Sequence, residues 1–426
     1  MTSQAQADRP ARLLLATLGS RGDVEPFVHL ARAAQNAGFT VRIAIPDQQD
    51  INTDGLDTVS LGIRFADLTQ KPGTSASRSF REQIRPSMSR ALAAFVDTGM
   101  DWTPDIIVSH PKLLTAPVLA ARYGIPHLTV ELTPTVTSTA QFPAAGITSR
   151  SLGSVLNRAS YRILDIAREM FAADVRTARS RLGIPRGRLP APAASLVAIS
   201  SSLLPRPSDW PATAHITGDW HRPSNARIYD AELREFIEAD APFVYAGFGS
   251  MTGGDASARA EAVIEGARRA GLRVAMTTGW GGLQPPTRCL GPDVLVTESA
   301  PHAAVLRHAV AAIHHGGAGT THAVARAGIP SIVVPFMADQ PFWAAQLRRI
   351  GLAPAPLHRD RLTPERIRTA LATSMDCASR ARTVAQQMSA EDGTTRALSL
   401  ITTYTRSHPS DTSQRSNRTD TSAPRP

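Results

Sequence analysis

The chain is poor in the residues that would commit it to several common classes. Among its 426 residues there are two cysteines, Cys289 and Cys377. That is too few for a disulfide framework, and they lack the paired spacing of a zinc site, so a reducing cytoplasm is the expectation. Lysine is almost missing: Lys71 and Lys112 are the only two, so 44 of the 46 Lys and Arg residues are arginine. The net charge of +10 would suit nucleic acid or an anionic surface. The arginines are scattered singly or in pairs, however, which reads as a solvated surface and selects no nucleic-acid partner. Long apolar runs are absent too. The stretch "RLLLATL" near the N-terminus is too short for a signal sequence and too broken for a membrane span. A soluble protein with at most peripheral membrane contact is expected.

What is present is length and alternation. At 42% hydrophobic content, 426 residues exceed the usual size of a single core, so two domains of about 200 residues each are expected. Residues 12–18 form an apolar run of the kind buried on both faces of a parallel sheet. A turn follows, then a helical pattern at 25–38 with Pro26 at its start and Gly38 as cap, then "FTVRIAIP" (39–46) as a second strand. This βαβ opening places a cleft at the carboxyl end of the first strand. The alternation continues through 105–110, 127–134, an amphipathic stretch around 150–182, and 194–200. A Pro-rich segment at 203–224 reads as a linker. A second run of strands follows at 243–250, 273–280, 294–299, 311–317 and 331–336. The reading is an α/β chain of two doubly wound, Rossmann-like halves: 1–215, 216–405, and a disordered polar tail at 406–426.

The segment "HHGGAGTTHAVARAGIP" (314–330) carries the most chemistry. Its glycines permit close backbone approach, and the open N–H groups and dipole of the helix that follows make an anion site, suited to a diphosphate. His315 can hydrogen-bond that phosphate, and Thr320 and Thr321 offer hydroxyls. A metal site is the weaker reading, because adjacent residues at a strand end point to opposite faces and no Asp, Glu or Cys completes a shell. A glycine turn with packed histidines is the structural alternative. Three other strand ends lie in the same half. "FGSMTGG" (248–254) offers Gly249 and Ser250 to the same phosphates. "TTGWGG" (277–282) carries Trp280, either a site wall or a packed ring. "VPFMADQPFWAAQ" (334–346) carries Asp339 and Gln340, able to accept from and donate to sugar hydroxyls, although an Asp before a helix is also an ordinary N-cap.

Over about residues 10–400 the chain resembles the GT-B fold glycosyltransferases of the UDP-glycosyltransferase family (family 1). The nearest branches are the bacterial natural-product and sterol glucosyltransferase-like ones. The matching motifs are "LGSRGDVEPFVHLA" (18–31) and 314–344, in that order. The resemblance implies two Rossmann-like domains facing each other across a cleft, the N-terminal one for the acceptor and the C-terminal one for the nucleotide sugar. It implies that Ser250, His315, Gly317, Gly319 and Thr320 hold the donor diphosphate. Asp339 and Gln340 would hold the sugar, and Trp280 and Val296 would border the nucleoside.

Asp23 stands where plant-type members carry histidine, and the resemblance implies that it takes the acceptor's proton. Ionised at pH 7 but weakly basic, it would receive that proton as the C–O bond forms. An Asx-turn or helix-cap carboxylate is the alternative. The implied reaction is an inverting, metal-independent transfer from a UDP- or dTDP-sugar to a hydroxyl of a hydrophobic natural-product or sterol-like acceptor. No cofactor is expected beyond the nucleotide-sugar co-substrate. The acceptor cleft would include 127–135 and the loop 67–88. A dinucleotide oxidoreductase is disfavoured because "LGSRGDV" lacks the G-x-G-x-x-G spacing. A non-catalytic glycosyltransferase-like activator is the other alternative, and the retained donor residues argue against it.

Overall fold

A computed structural model describes residues 9–47, 51–64, 80–221, 231–249, 251, 254–279 and 281–407. Among the described residues, twelve strands fall into two parallel sheets. The first holds β1 (Arg12–Ala16), β2 (Thr40–Ile45), β3 (Asp57–Ser60), β4 (Ile106–Ser109), β5 (His127–Glu131), β6 (Ala194–Val197) and β7 (Ala214–Ile216), in the order β3-β2-β1-β4-β5-β6-β7. The second holds β8 (Phe243–Gly247), β9 (Arg273–Thr277), β10 (Val294–Thr297), β11 (Ala311–His314) and β12 (Ser331–Val333), in the order β10-β9-β8-β11-β12. Such two-sheet α/β architecture is what the alternation of apolar runs implied. Leu13, Leu14 and Leu15 are fully buried, as a strand covered on both faces requires.

Both sheets reverse direction beside their first strand. The chain leaves β1 towards β2 and β3, then returns to place β4 on the other side of β1. In the second sheet it leaves β8 towards β9 and β10, then returns with β11. At such a reversal the loops leaving the two central strands diverge and open a crevice at their carboxyl ends. The loops after β1, β4, β8 and β11 therefore border the two crevices.

Four helices bear on the site and are labelled in chain order: α1 (Arg21–Asn36), α2 (Ala318–Ala327), α3 (Gln340–Arg349) and α4 (Gly393–Ser407). The N-termini of α1 and α2 meet, since a Cβ on Gly319 would lie 3.5 Å from Gly22 Cα. An apolar cluster joins the halves, in which Val197, Leu203, Leu204 and Trp210 pack with Trp343, Leu347, Val384 and Met388. The last helix, α4, belongs to the core of the first sheet, where Ala397, Leu398 and Ile401 pack among Phe27, Leu30 and Trp220.

Three local expectations change. Helix α1 starts at Arg21, so Pro26 lies inside it and Asp23 sits in its first turn. The 150–182 stretch is broken into three helices, Ser154–Ser160, Ile163–Met170 and Ala172–Arg181. The Pro-rich segment at 203–224 contains strand β7. The tail beyond 407, part of the loop at 67–88, Ser250 and Trp280 lie outside the described residues.

Candidate active site

Asp23 divides its two oxygens between structure and cleft. Ser20 is the N-cap of α1, and Asp23 Oδ2 accepts from Ser20 N at 2.8 Å and from Ser20 Oγ at 3.2 Å, closing a capping box. Gly19, at φ +151°, leaves room for this, because a Cβ there would fall on the Asp23 carboxylate. Oδ1 faces the loop after β4, with Lys112 Nζ at 3.4 Å and His110 Nε2 at 3.7 Å. The backbone N–H of Lys112 donates to His110 Nδ1 at 3.2 Å, so the neutral ring carries its hydrogen on Nε2, towards Asp23. Burial raises the Asp23 carboxyl, but Lys112, His110 and Ser20 together outweigh it and hold the group below the usual aspartate value. Burial, then Lys112, push His110 down to about 3, so it is neutral at pH 7. His110 and Lys112 were not among the residues singled out from sequence.

Across the cleft, β11 ends in His314, which has no exposed surface and accepts from Gly316 N through Nδ1 at 3.1 Å. His315 points elsewhere, between two glycines. A Cβ on Gly249 would stand 3.3 Å from its Cε1, and one on Gly317 would stand 2.5 Å from its Nε2. Its ring is buried beside the Gly247 carbonyl, and the hydroxyl of Thr321 is buried without a partner. A buried hydroxyl left unpaired inside a protein is uncommon, and this one lies in the first turn of a helix. Gly317 is the N-cap of α2 and no side chain caps that end, so the first-turn N–H groups around Gly319 and Thr320 remain open. Burial first, then His302, bring His315 down to about 4. His302 is joined to this wall through Tyr245, whose hydroxyl lies 2.9 Å from both His302 Nε2 and Thr277 Oγ1. Val296 stands on the edge strand β10, paired with Met276.

Asp339 is at the N-cap position of α3, yet its carboxylate caps nothing; Oδ2 accepts instead from Trp343 Nε1 at 3.0 Å. Burial first, then the charge of Asp23, push it up to about 6. Ala338, just before it, has φ 55°, the one positive value outside glycine among the described residues. Such backbone costs about 1–3 kcal/mol and persists where surroundings impose it. Its carbonyl lies against Gly146 of the first half. Gln340, expected at the sugar, is held within its own half. It is 3% exposed, its Oε1 accepts from Phe336 N at 2.7 Å and Met337 N at 3.0 Å, and its amide meets Met251 Sδ. It shapes the loop that carries Asp339.

Two parallel sheets with an uncapped helix start on one wall and a partnered carboxylate on the other border a single cleft. Comparisons with known proteins give the chain its family. Residues 281–397 match the model described as erythromycin biosynthesis protein CIII-like, C-terminal domain. The chain is 31% identical to the O-mycaminosyltylonolide 6-deoxyallosyltransferase of Streptomyces fradiae, over 92% of this chain and 96% of that protein. It is 29% identical to a sterol 3-beta-glucosyltransferase of Arabidopsis thaliana, over 91% of this chain and 65% of that protein. Among solved structures, the glycosyltransferase of kitacinnamycin superposes with a TM-score of 0.71 at 21% identity, over 93% of this chain and 99% of that one. The glycosyltransferase VinC, solved in complex with dTDP, superposes with a TM-score of 0.64 at 20% identity, over 93% of this chain and all of that one. The chain belongs to the GT-B glycosyltransferases of family 1.

Proposed function

We propose that the protein is an inverting glycosyltransferase that moves a sugar from a UDP- or dTDP-linked donor to a hydroxyl of a hydrophobic natural-product or sterol-like acceptor. The observation that carries this is the meeting of helices α1 and α2 at Gly22 and Gly319, each starting at the crevice of its own sheet, with Asp23 in the first turn of one and His315 just before the other. In this reading the first half binds the acceptor and the second half the donor. The diphosphate lies on the open end of α2, with N–H groups near Gly317, Gly319 and Thr320 and with His315 as donors. Asp339 accepts from the sugar hydroxyls.

Asp23 Oδ1 takes the acceptor's proton as that oxygen attacks the anomeric carbon from the side opposite the diphosphate. The C–O bond to the diphosphate breaks as the new one forms, which inverts the centre. The helix start and His315 stabilise the charge that develops on the leaving diphosphate, and the scheme uses no metal. Lys112 and His110 keep Asp23 ionised at the cost of basicity, so the proton moves late. The names of the relatives, a macrolide glycosyltransferase and a sterol glucosyltransferase, support an apolar polycyclic or macrocyclic acceptor.

Incubation with a panel of UDP- and dTDP-sugars and a library of hydrophobic alcohols, read by mass spectrometry, tests this. A product heavier by one sugar, with the anomeric configuration opposite to that of the donor, is expected. Binding of nucleotide sugar with no transfer to any acceptor would turn the reading towards an activator.

A further inference from the structure

The orientation of Asp339 is imposed from outside its own loop. Its Oδ2 is tied to the indole of Trp343, one helical turn along α3, at 3.0 Å. Trp343 has no exposed surface and packs among Leu347, Phe342 and the apolar residues that join the halves, so the indole is held in place. It meets the imidazole of His322 edge to face, with centroids 5.5 Å apart and planes at 77°.

His322 is fixed at both ring nitrogens. Nδ1 lies 2.8 Å from the carbonyl of Ala318 and therefore carries the hydrogen, which leaves Nε2 to accept from Ser200 N at 3.3 Å. Ser200 follows β6 in the first half, and its hydroxyl donates to Glu391 at 3.0 Å. Burial first brings His322 down to about 4, against small opposing contributions from Ala318 and Glu391, so near pH 7 it acts by shape and hydrogen bonding. An apolar side chain would fill the same place on α2 without desolvating two nitrogens. A buried histidine joined on one side to the segment linking the halves and on the other to the ring that holds Asp339 is placed to connect them.

We propose that Trp343 and His322 are positioning residues for Asp339: the chain Ser200–His322–Trp343–Asp339 occupies Oδ2, turns Oδ1 to the donor sugar, and makes that orientation depend on the joint between the halves. The proposal rests on the reading of Asp339 as an acceptor of sugar hydroxyls. The charged groups facing Asp339 are Asp23 on α1 and Lys112 in the loop after β4, and those acting on His322 are Glu391 and His221. The four charged or titratable groups are unaltered in the variants below.

The test is calorimetric binding of UDP-glucose and dTDP-glucose beside UDP and dTDP, between pH 5 and 8. The quantity read is the affinity ratio of sugar nucleotide to bare nucleotide. An ionised Asp339 accepts sugar hydroxyls and a protonated one accepts fewer, so the ratio falls as pH drops through its midpoint. Trp343→Phe removes the N–H that steadies the anion, and the midpoint should rise by about half a pH unit or more, with UDP and dTDP affinity unchanged. His322→Leu should move it the same way, while His322→Gln, which keeps an acceptor for Ser200 N, should restore it. If Trp343→Phe does not fold, the His322 pair decides. A wild-type midpoint in Trp343→Phe and His322→Leu overturns the chain. Asp339→Asn separates the two ideas. A flat ratio there supports the sugar role even if the chain fails, whereas an unchanged pH-dependent ratio overturns the sugar role itself.

Discussion

Asp23 and Asp339 stand on opposite walls of one cleft, and the charge of the first reaches the second. After burial, the negative charge of Asp23 is the next cause that lifts the Asp339 carboxyl to about 6, while Lys112, beside Asp23, pulls the other way. The two carboxylates are thus arranged so that one stays ionised and the other holds its proton nearly to neutrality.

That asymmetry has a cost in stability with a definite sign. The Asp339 carboxyl titrates higher in the folded chain than in the unfolded one, so its contribution is full below the unfolded value and is lost as pH rises towards 6. Asp339→Asn, which keeps an oxygen for Trp343 Nε1, should be more stable than the wild type at pH 7.5 by about 1–3 kcal/mol. The gain should vanish near pH 4. Melting curves of both proteins at the two pH values check this, and equal melting temperatures at pH 7.5 would contradict it.

Asp23 has the opposite sign. Lys112 holds its carboxyl down, so Lys112→Met should raise it and move the acid limb of the transfer rate to higher pH by about half a unit to one unit. Asp23→Asn, which can still accept from Ser20 N, should fold normally and lose about 10²–10⁴-fold in turnover while binding the donor as before. The pH–rate profile and donor calorimetry measure both, and full turnover in Asp23→Asn would remove the base from the scheme.

Gly317 tests the phosphate wall. A Cβ there would be 2.5 Å from His315 Nε2, and α2 cannot recede because it packs on both halves. Gly317→Ala should weaken UDP and dTDP binding about tenfold or more, equivalent to about 1.4 kcal/mol, with the melting temperature little changed.

Glu131 is a structural counterpart. Only 1% exposed, it accepts from Val136 N at 2.8 Å, Thr137 N at 3.0 Å and Ser195 Oγ at 2.6 Å, and so holds the loop after β5. Glu131→Leu strands those donors at about 1–3 kcal/mol each. A fall in unfolding free energy of about 3 kcal/mol or more is expected by chemical denaturation.

The parallel sheets were legible because doubly covered strands read as unbroken apolar runs, as Leu13 to Leu15 do. β3 and β7 were not. "DTVS" is mostly exposed at the sheet edge and "AHI" is three residues inside a proline-rich stretch, so neither carries a periodic signal. Asp23 posed a choice between helix cap and base, and the fold commits Oδ2 to the cap while Oδ1 faces Lys112 and His110. The same choice at Asp339 resolves away from capping, because the carboxylate turns to Trp343. His110 and Lys112 come to the site through the reversal between β1 and β4, about ninety residues along the chain. The rule that opens a crevice after β1 also points to the loop after β4, and following it to "SHPK" would have found both. His322 offers no such signal, since its role depends on a contact with Ser200 that no local pattern foretells.

The return of α4 to the first sheet means that the chain crosses between its halves twice, once after β7 and again before α4. The two crossings run side by side: Gly218, at φ +98°, and Gly393 touch, with the backbone of Gly218 2.8 Å from where a Cβ on Gly393 would be. A single strap would let one lobe swivel like a ball in a socket. Two straps in contact restrict that freedom, because any turn of the backbone at Gly218 presses on Gly393 and so involves both crossings at once.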